Sequence, residues 1–278
     1  MILLVISLLF FTAFGQLQKL AISKKCDLWL VGLINYIFAS ALAGLYGLTV
    51  DTISFSPRIV WTGVLGGLSF AGGLLVTFWG IKAAGLSLSI SVARLSVLVP
   101  TLLSIFIWKE VPTAAQIAGI GIILVALVLL SLSRGEAANG SRWSLALVLA
   151  IFIMSGSSQT IFKLVNELGL YQQKMTYLMI LFFVAALSYG SIYLFRPKSF
   201  KKLDLTLGLI LGGCNILGSW SSLAALEEIQ GVIFFPVSSS ASLALSALLA
   251  TLIWKEKVDR RGIAGIALTI GALFLISF

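Results

Sequence analysis

The sequence contains no histidine. That removes the commonest metal ligand and the side chain most often used as a general base near neutral pH. Only 2 cysteines are present, Cys26 in a polar stretch and Cys214 inside an apolar one. They supply neither a disulfide framework nor a metal motif. Acidic residues number 10, and none lies in the middle of a long apolar run. A buried carboxylate is the simplest carrier for proton-coupled export of cations, so its absence argues against a cationic-drug antiporter. An intramembrane enzyme would also lack its usual parts: histidine, a mid-run acid and a metal cluster. The chain is therefore read as non-enzymatic, with no cofactor and no metal site.

Charge of either sign is scarce, at 10% of residues, where a soluble domain carries about 25%. Apolar residues make up 59% of the 278. A globule of this size cannot hide that much apolar surface from water, which implies a polytopic membrane protein. The net charge of +9 does not form one basic face. It sits in short clusters between apolar runs, as juxtamembrane loops do, so nucleic acid is not an expected partner. The first run, 2–20, has no basic leading segment and no A-x-A cleavage site, and reads as a retained helix.

Ten runs have roughly the 18–25 residues needed to span a bilayer as helices. They are 2–20, 28–48, 58–81, 84–107, 113–132, 143–163, 174–195, 204–226, 231–254 and 260–278. The expected fold is an all-α polytopic membrane protein. The longest polar connection, SRGEAANGSR at 133–142, falls between the fifth and sixth runs.

An internal repeat lies across that connection. Ile107-Trp108-Lys109-Glu110 returns 146 positions later as Ile253-Trp254-Lys255-Glu256, and Ile117-Ala118-Gly119-Ile120 as Ile263-Ala264-Gly265-Ile266. The same offset carries Gly66-Gly67 onto Gly212-Gly213 and Gly85 onto Gly231. About 20 of 74 ungapped positions match between 59–132 and 205–278, which points to duplication. Five helices per half is an odd number, so the second half must enter the membrane upside down. The expectation is two inverted five-helix repeats, 1–132 and 143–278, joined by the 133–142 loop. That is the usual build of a secondary transporter working by alternating access, with its site between the halves. Loops after the odd-numbered runs hold fourteen basic residues, among them Lys24, Lys25, Lys201 and Arg260. The opposite loops hold Arg58, Lys109, Lys163 and Lys174. The asymmetry places the first set in the cytoplasm and both termini outside.

The stretch 85–132 (GLSLSISVARLSVLVPTLLSIFIWKEVPTAAQIAGIGIILVALVLLSL) and its copy at 231–278 resemble the drug/metabolite transporter superfamily, and within it the EamA-like permeases. That family has a helix with a mid-span proline, a terminal acid and a following glycine-rich helix. Pro100, Glu110 and Ala118-Gly119 match, as do Glu256 and Ala264-Gly265. Pro236 stands ten positions from where Pro100 would map. GQLQKL at 15–20 and GSSQTIFKL at 156–164 resemble the family's opening helices. The resemblance implies ten helices around a central cavity. It also implies cytoplasmic termini, opposite to the charge count, which is followed here.

Arg94 is the least expected residue. It lies about ten positions into the fourth run, near 15 Å deep at 1.5 Å per residue. An intramembrane arginine usually faces a cavity or a partner. As a site residue its planar fork would take a substrate carboxylate or phosphate. As a structural residue it would bond carbonyls freed by Pro100, which cannot donate to Ser96. Gln16, Gln159, Asn215 and Trp220 are the other candidate substrate-binding residues, with Asn35, Ser155 and Ser157 also polar inside the runs. Each lines a cavity or joins helices. Lys19 and Lys163 read as snorkelling helix ends, with gate charges as the alternative, Glu227 and Glu228 as a solvated helix end, and Gly63-xxx-Gly67 and Gly208-xxx-Gly212 as close-packing faces. Trp108-Lys109-Glu110 and its copy read as interface anchors with a helix-end charge pair.

The expected function is secondary transport of a small organic solute, anionic or carboxylate-bearing, such as an amino acid or other metabolite. The alternatives are a flippase for a lipid-linked anionic head group and a non-transporting membrane scaffold. Expected partners are that small-molecule or lipid head-group substrate and membrane lipids. The chain would act as monomer or homodimer in a bacterial or archaeal inner or plasma membrane.

Overall fold

The computed structural model describes residues 1–50, 53–84, 86–132, 142–195, 200–255 and 260–277. Among the described residues the fold is helical throughout, with no strand. The helices are α1 (Ile2–Ser23), α2 (Leu28–Val50), α3 (Pro57–Ala84), α4 (Leu86–Leu95), α5 (Leu98–Phe106), α6 (Ala114–Leu132), α7 (Arg142–Glu167), α8 (Lys174–Leu194), α9 (Lys202–Glu228), α10 (Gly231–Trp254) and α11 (Arg260–Ser277). A short 3₁₀ turn, Tyr171–Gln173, precedes α8. Seven of the described helices are long and apolar enough to cross a membrane. Residues 133–141 of the expected connecting loop, and Glu256 of the repeated motif, lie outside the described residues.

Local chemistry sets the helix ends. Asp27 Oδ1 accepts the Trp29 and Leu30 N–H groups at 3.1 and 3.4 Å and caps α2. Ser56 Oγ accepts from Ile59 at 3.3 Å, with Pro57 at the first helical position of α3. Thr113 and Gln116 bond reciprocally at 2.9 and 3.3 Å, a capping box for α6. Lys25, Lys109 and Lys255 take left-handed φ of 51°, 58° and 53°. The last two are related by the 146-residue offset, so the repeat extends to an unusual backbone conformation.

One of the ten runs is interrupted. The run 84–107 is two helices, α4 and α5, broken at Ser96-Val97. Pro100 has no N–H for the Ser96 carbonyl and its ring crowds that group. The carbonyl accepts instead from Val99, at 3.0 Å. In the second copy the offset places Ser246 where Pro100 stands, and α10 runs unbroken from Gly231 to Trp254.

The chain divides into two compact units. Neither is a sequence half, since each draws on both. The first comprises Met1–Ala71 and Ile161–Glu227. Here α3 lays Gly63 and Gly67 on α8: a Cβ at Gly63 would stand 2.7 Å from Ile180 Cγ2, and one at Gly67 2.6 Å from the Leu181 carbonyl. On α9, Gly208 and Gly212 approach Ile34 and the Asn35 carbonyl of α2 in the same way, at 2.7 and 2.8 Å. Both glycine pairs are the close-packing faces expected of them. Tyr36 fills the centre, stacked on Phe182 at 6.2 Å and edge-on to Tyr189 at 5.1 Å.

The second unit comprises Gly72–Thr160 and Glu228–Phe278. Within it α6 packs along α11, and α10 packs against α5, α6 and α11. Ser240 and Thr269 share a buried hydrogen bond of 2.8 Å between α10 and α11.

Candidate functional site

Polar groups meet at the break between α4 and α5, in the second unit, where Ser96 and Gln159 are bonded and Arg94 stands two residues before Ser96. Arg94 is in the last turn of α4, half-buried. A cation there is favoured by the carbonyl end of the helix. The carbonyls of this last turn are reused locally. Ser96 Oγ donates to Ala93 at 2.7 Å, and the Val97 N–H reaches the Arg94 carbonyl at 3.3 Å.

Helix α7 approaches the break because Gly156 leaves room. A Cβ at Gly156 would meet Val99 Cγ2 at 2.7 Å and the Ser96 carbonyl at 3.2 Å. One turn further along α7, Gln159 Nε2 donates to Ser96 Oγ and to the Ser155 carbonyl, each at 3.4 Å. The result is a kinked backbone, a guanidinium, a serine hydroxyl and a carboxamide held in one unit. Such a set suits recognition of a carboxylate or phosphate by donors of fixed direction.

The sequence candidates separate accordingly. Arg94 and Gln159 belong to the second unit, while Gln16, Asn215 and Trp220 belong to the first. Asn215 is fully buried, and its Nδ2 donates to Asn35 Oδ1 at 3.3 Å. That pairing joins α9 to α2, the helix-joining role open to it in the sequence. Trp220 and Gln16 are half-buried. Arg94 and Gln16 are each engaged by other groups of the chain. The Arg94 charge therefore has compensation within the chain, as the structural reading of that residue expects.

Lys163 needs the larger correction. It is 5% exposed and does not snorkel. Helix α7 runs on to Glu167, a full turn beyond Lys163, and the Glu167 carboxylate takes the ammonium at 2.7 Å. Glu227 and Glu228 are exposed as expected, and Glu227 pairs with Lys174 at 2.8 Å. Glu110, expected as part of a helix-end charge pair, accepts the Gly231 and Val232 N–H groups at 3.0 and 2.7 Å. Ser96 and Asn166, whose Nδ2 donates to the Leu223 carbonyl at 3.1 Å, are polar contacts the sequence did not single out as sites. Their partners are 63 and 57 residues away. No group of three or more metal-ligating side chains occurs among the described residues.

No protein-family model matches the chain. No curated protein matches it either. A solved crystal structure of another protein matches with a TM-score of 0.79 and 20% identity, covering 98% of this chain and 96% of that one. At that identity the likeness concerns the fold alone.

Proposed function

We propose that the chain is a secondary transporter for a small organic solute with a carboxylate or other anionic group. The observation that carries this reading is the helix break at Ser96-Val97, with Arg94 on one side and Gln159 against it. Discontinuous membrane helices are where secondary transporters build substrate sites, because a break exposes polar backbone that a continuous helix consumes. Arg94 and Gln159 take the anionic group in this reading, with Ser96 beside them. The duplication supports ten spans as two inverted five-helix repeats, with alternating access between them, as in the drug/metabolite transporter superfamily and its EamA-like permeases. The setting is a bacterial or archaeal inner membrane, with the chain as monomer or homodimer and no chemical turnover of the solute.

The second copy lends support by contrast. The offset puts Ser240 where Arg94 stands, and Ser240 is buried and bonded to Thr269. The duplicated position has become a helix joint in one copy and carries a guanidinium in the other.

The test is a thermal-shift screen of the purified chain against carboxylates, phosphates and lipid head groups. Stabilisation by a carboxylate or phosphate that Gln159→Leu removes supports the reading. Stabilisation by lipid head groups alone makes the protein a flippase instead. No response in any class removes the proposal.

A further inference from the structure

The start of α10 is buried, with Gly231 and Val232 both shielded from solvent. The first N–H groups of a helix have no partner within it and need one from elsewhere. Glu110 supplies it. Its Oε1 accepts from Gly231 at 3.0 Å and its Oε2 from Val232 at 2.7 Å. The Ile233 and Phe234 N–H groups go to the Gln230 carbonyl at 3.0 and 2.9 Å. The first turn of α10 is thus fully satisfied, with two of its bonds made by a residue 121 positions earlier. A carboxylate on both N–H groups is charge-assisted, and its negative charge suits the positive end of the helix.

The chain goes out of its way to hold Glu110 there. Lys109 adopts φ of 58°, a conformation unfavourable to any side chain with a Cβ and kept where the surroundings impose it. The Glu110 N–H then folds back to the Ser104 carbonyl of α5 at 3.0 Å. The Glu110 backbone is thereby bonded to α5 while its side chain is bonded to α10. Lys255, at the repeat-related position, shows the same conformation with φ of 53°. The left-handed lysine is therefore a retained feature of the duplicated unit.

We propose that Glu110 is a latch: it ties the end of α5 to the start of α10, so that these two ends loosen together. α5 is a nine-residue helix already severed from α4 at Ser96-Val97. Its other end carries this contact, so losing the Glu110 carboxylate removes the hydrogen-bonded tie of that end to α10 and leaves only the packing of α5 on α10. This goes beyond the transport reading and stands or falls without it.

The experiment is hydrogen exchange by mass spectrometry on the full chain in detergent micelles. It compares the wild type with Glu110→Gln, Glu110→Ala and Lys109→Gly. In Glu110→Ala, peptides covering 229–236 and 102–108 should both exchange about tenfold faster or more, while a peptide across 174–182 of the other unit stays unchanged. Glu110→Gln keeps one acceptor and should fall between. Lys109→Gly accepts the left-handed turn without strain, should fold at least as well, and should keep both peptides protected. Faster exchange confined to 229–236 would make Glu110 an ordinary cap and overturn the latch. Unchanged exchange at both ends would overturn it too. If Glu110→Ala does not fold, Glu110→Gln decides by the same two peptides.

Discussion

The carboxamide of Gln159 lies 3.4 Å from the hydroxyl of Ser96, and so α7 is bonded to the point where the α4–α5 run breaks. A proline four residues beyond Ser96 makes the break, and a glycine three residues before Gln159 makes the approach possible. In the proposed reading, conformation and recognition are therefore set by the same few residues.

Replacing Pro100 separates the two. Pro100→Ala supplies an N–H for the Ser96 carbonyl and removes the ring that crowds it. Pro100 is the third residue of α5, where a missing N–H costs little, and Val99 already serves that carbonyl, so the melting temperature should change by no more than a few degrees. Ligand-dependent stabilisation and transport should fall, because the polar backbone at the break is reabsorbed into helix. A variant both more stable and fully active would show that the break is dispensable.

Arg94 is expected to act through the direction of its donors as well as its charge. Arg94→Lys keeps the charge and loses the planar fork. Hydrogen bonds to charged groups contribute about 1.5–3 kcal/mol, so apparent affinity for the solute should drop on the order of 10- to 100-fold. Arg94→Ala should abolish uptake into proteoliposomes while leaving folded yield close to wild type. Normal uptake by Arg94→Ala, or its failure to fold, assigns the residue to structure.

What the sequence made legible is what runs locally along it. Apolar length placed α1, α2, α3 and α8 to α10 within a few residues, and glycine spacing marked the faces of α3 and α9. The break in 84–107 left only one trace, Pro100, because the run is apolar on both sides of it. Helix α7 outlasts the apolar run 143–163, since Asn166 and Glu167 look like loop residues until their partners Leu223 and Lys163 are known. The Trp-Lys-Glu repeat was plain, but its meaning was not. The target of Glu110 is a backbone 121 residues away, and periodicity carries no information about it. The division of the candidate residues between two units was equally invisible, for each unit is assembled from both halves.

The Asn35–Asn215 pair gives a measurable coupling. Both side chains are buried, at 3% and 1% exposure. Asn215→Leu leaves Asn35 without its donor, and an unsatisfied buried polar group costs about 1–3 kcal/mol. The double variant removes both and should be less damaging than the two single losses added. Hydrogen bonds between membrane helices couple by about 0.6 kcal/mol on average and up to about 1.7. A double-mutant cycle from denaturant unfolding should give a value in that range. Strict additivity would mean that the bond contributes nothing.

Cys26 reports on the opposite kind of environment, a polar connection between α1 and α2. Burial pushes its thiol up from the ordinary range, and the Asp204 carboxylate beside it pushes further, with Lys201 pulling back in part. The thiolate is the species that alkylates. A raised thiol has less thiolate at a given pH, so in a Cys214→Ala background Cys26 should react with iodoacetamide more slowly at pH 8 than a free cysteine does. Its rate should keep climbing with pH beyond the point where free cysteine levels off. Asp204→Asn removes the negative charge yet can still accept the Lys201 N–H that Asp204 Oδ2 holds at 3.0 Å. The thiol should then titrate lower and the reaction at pH 8 should speed up. An unchanged or slower rate in Asp204→Asn would mean that the carboxylate does not act on Cys26.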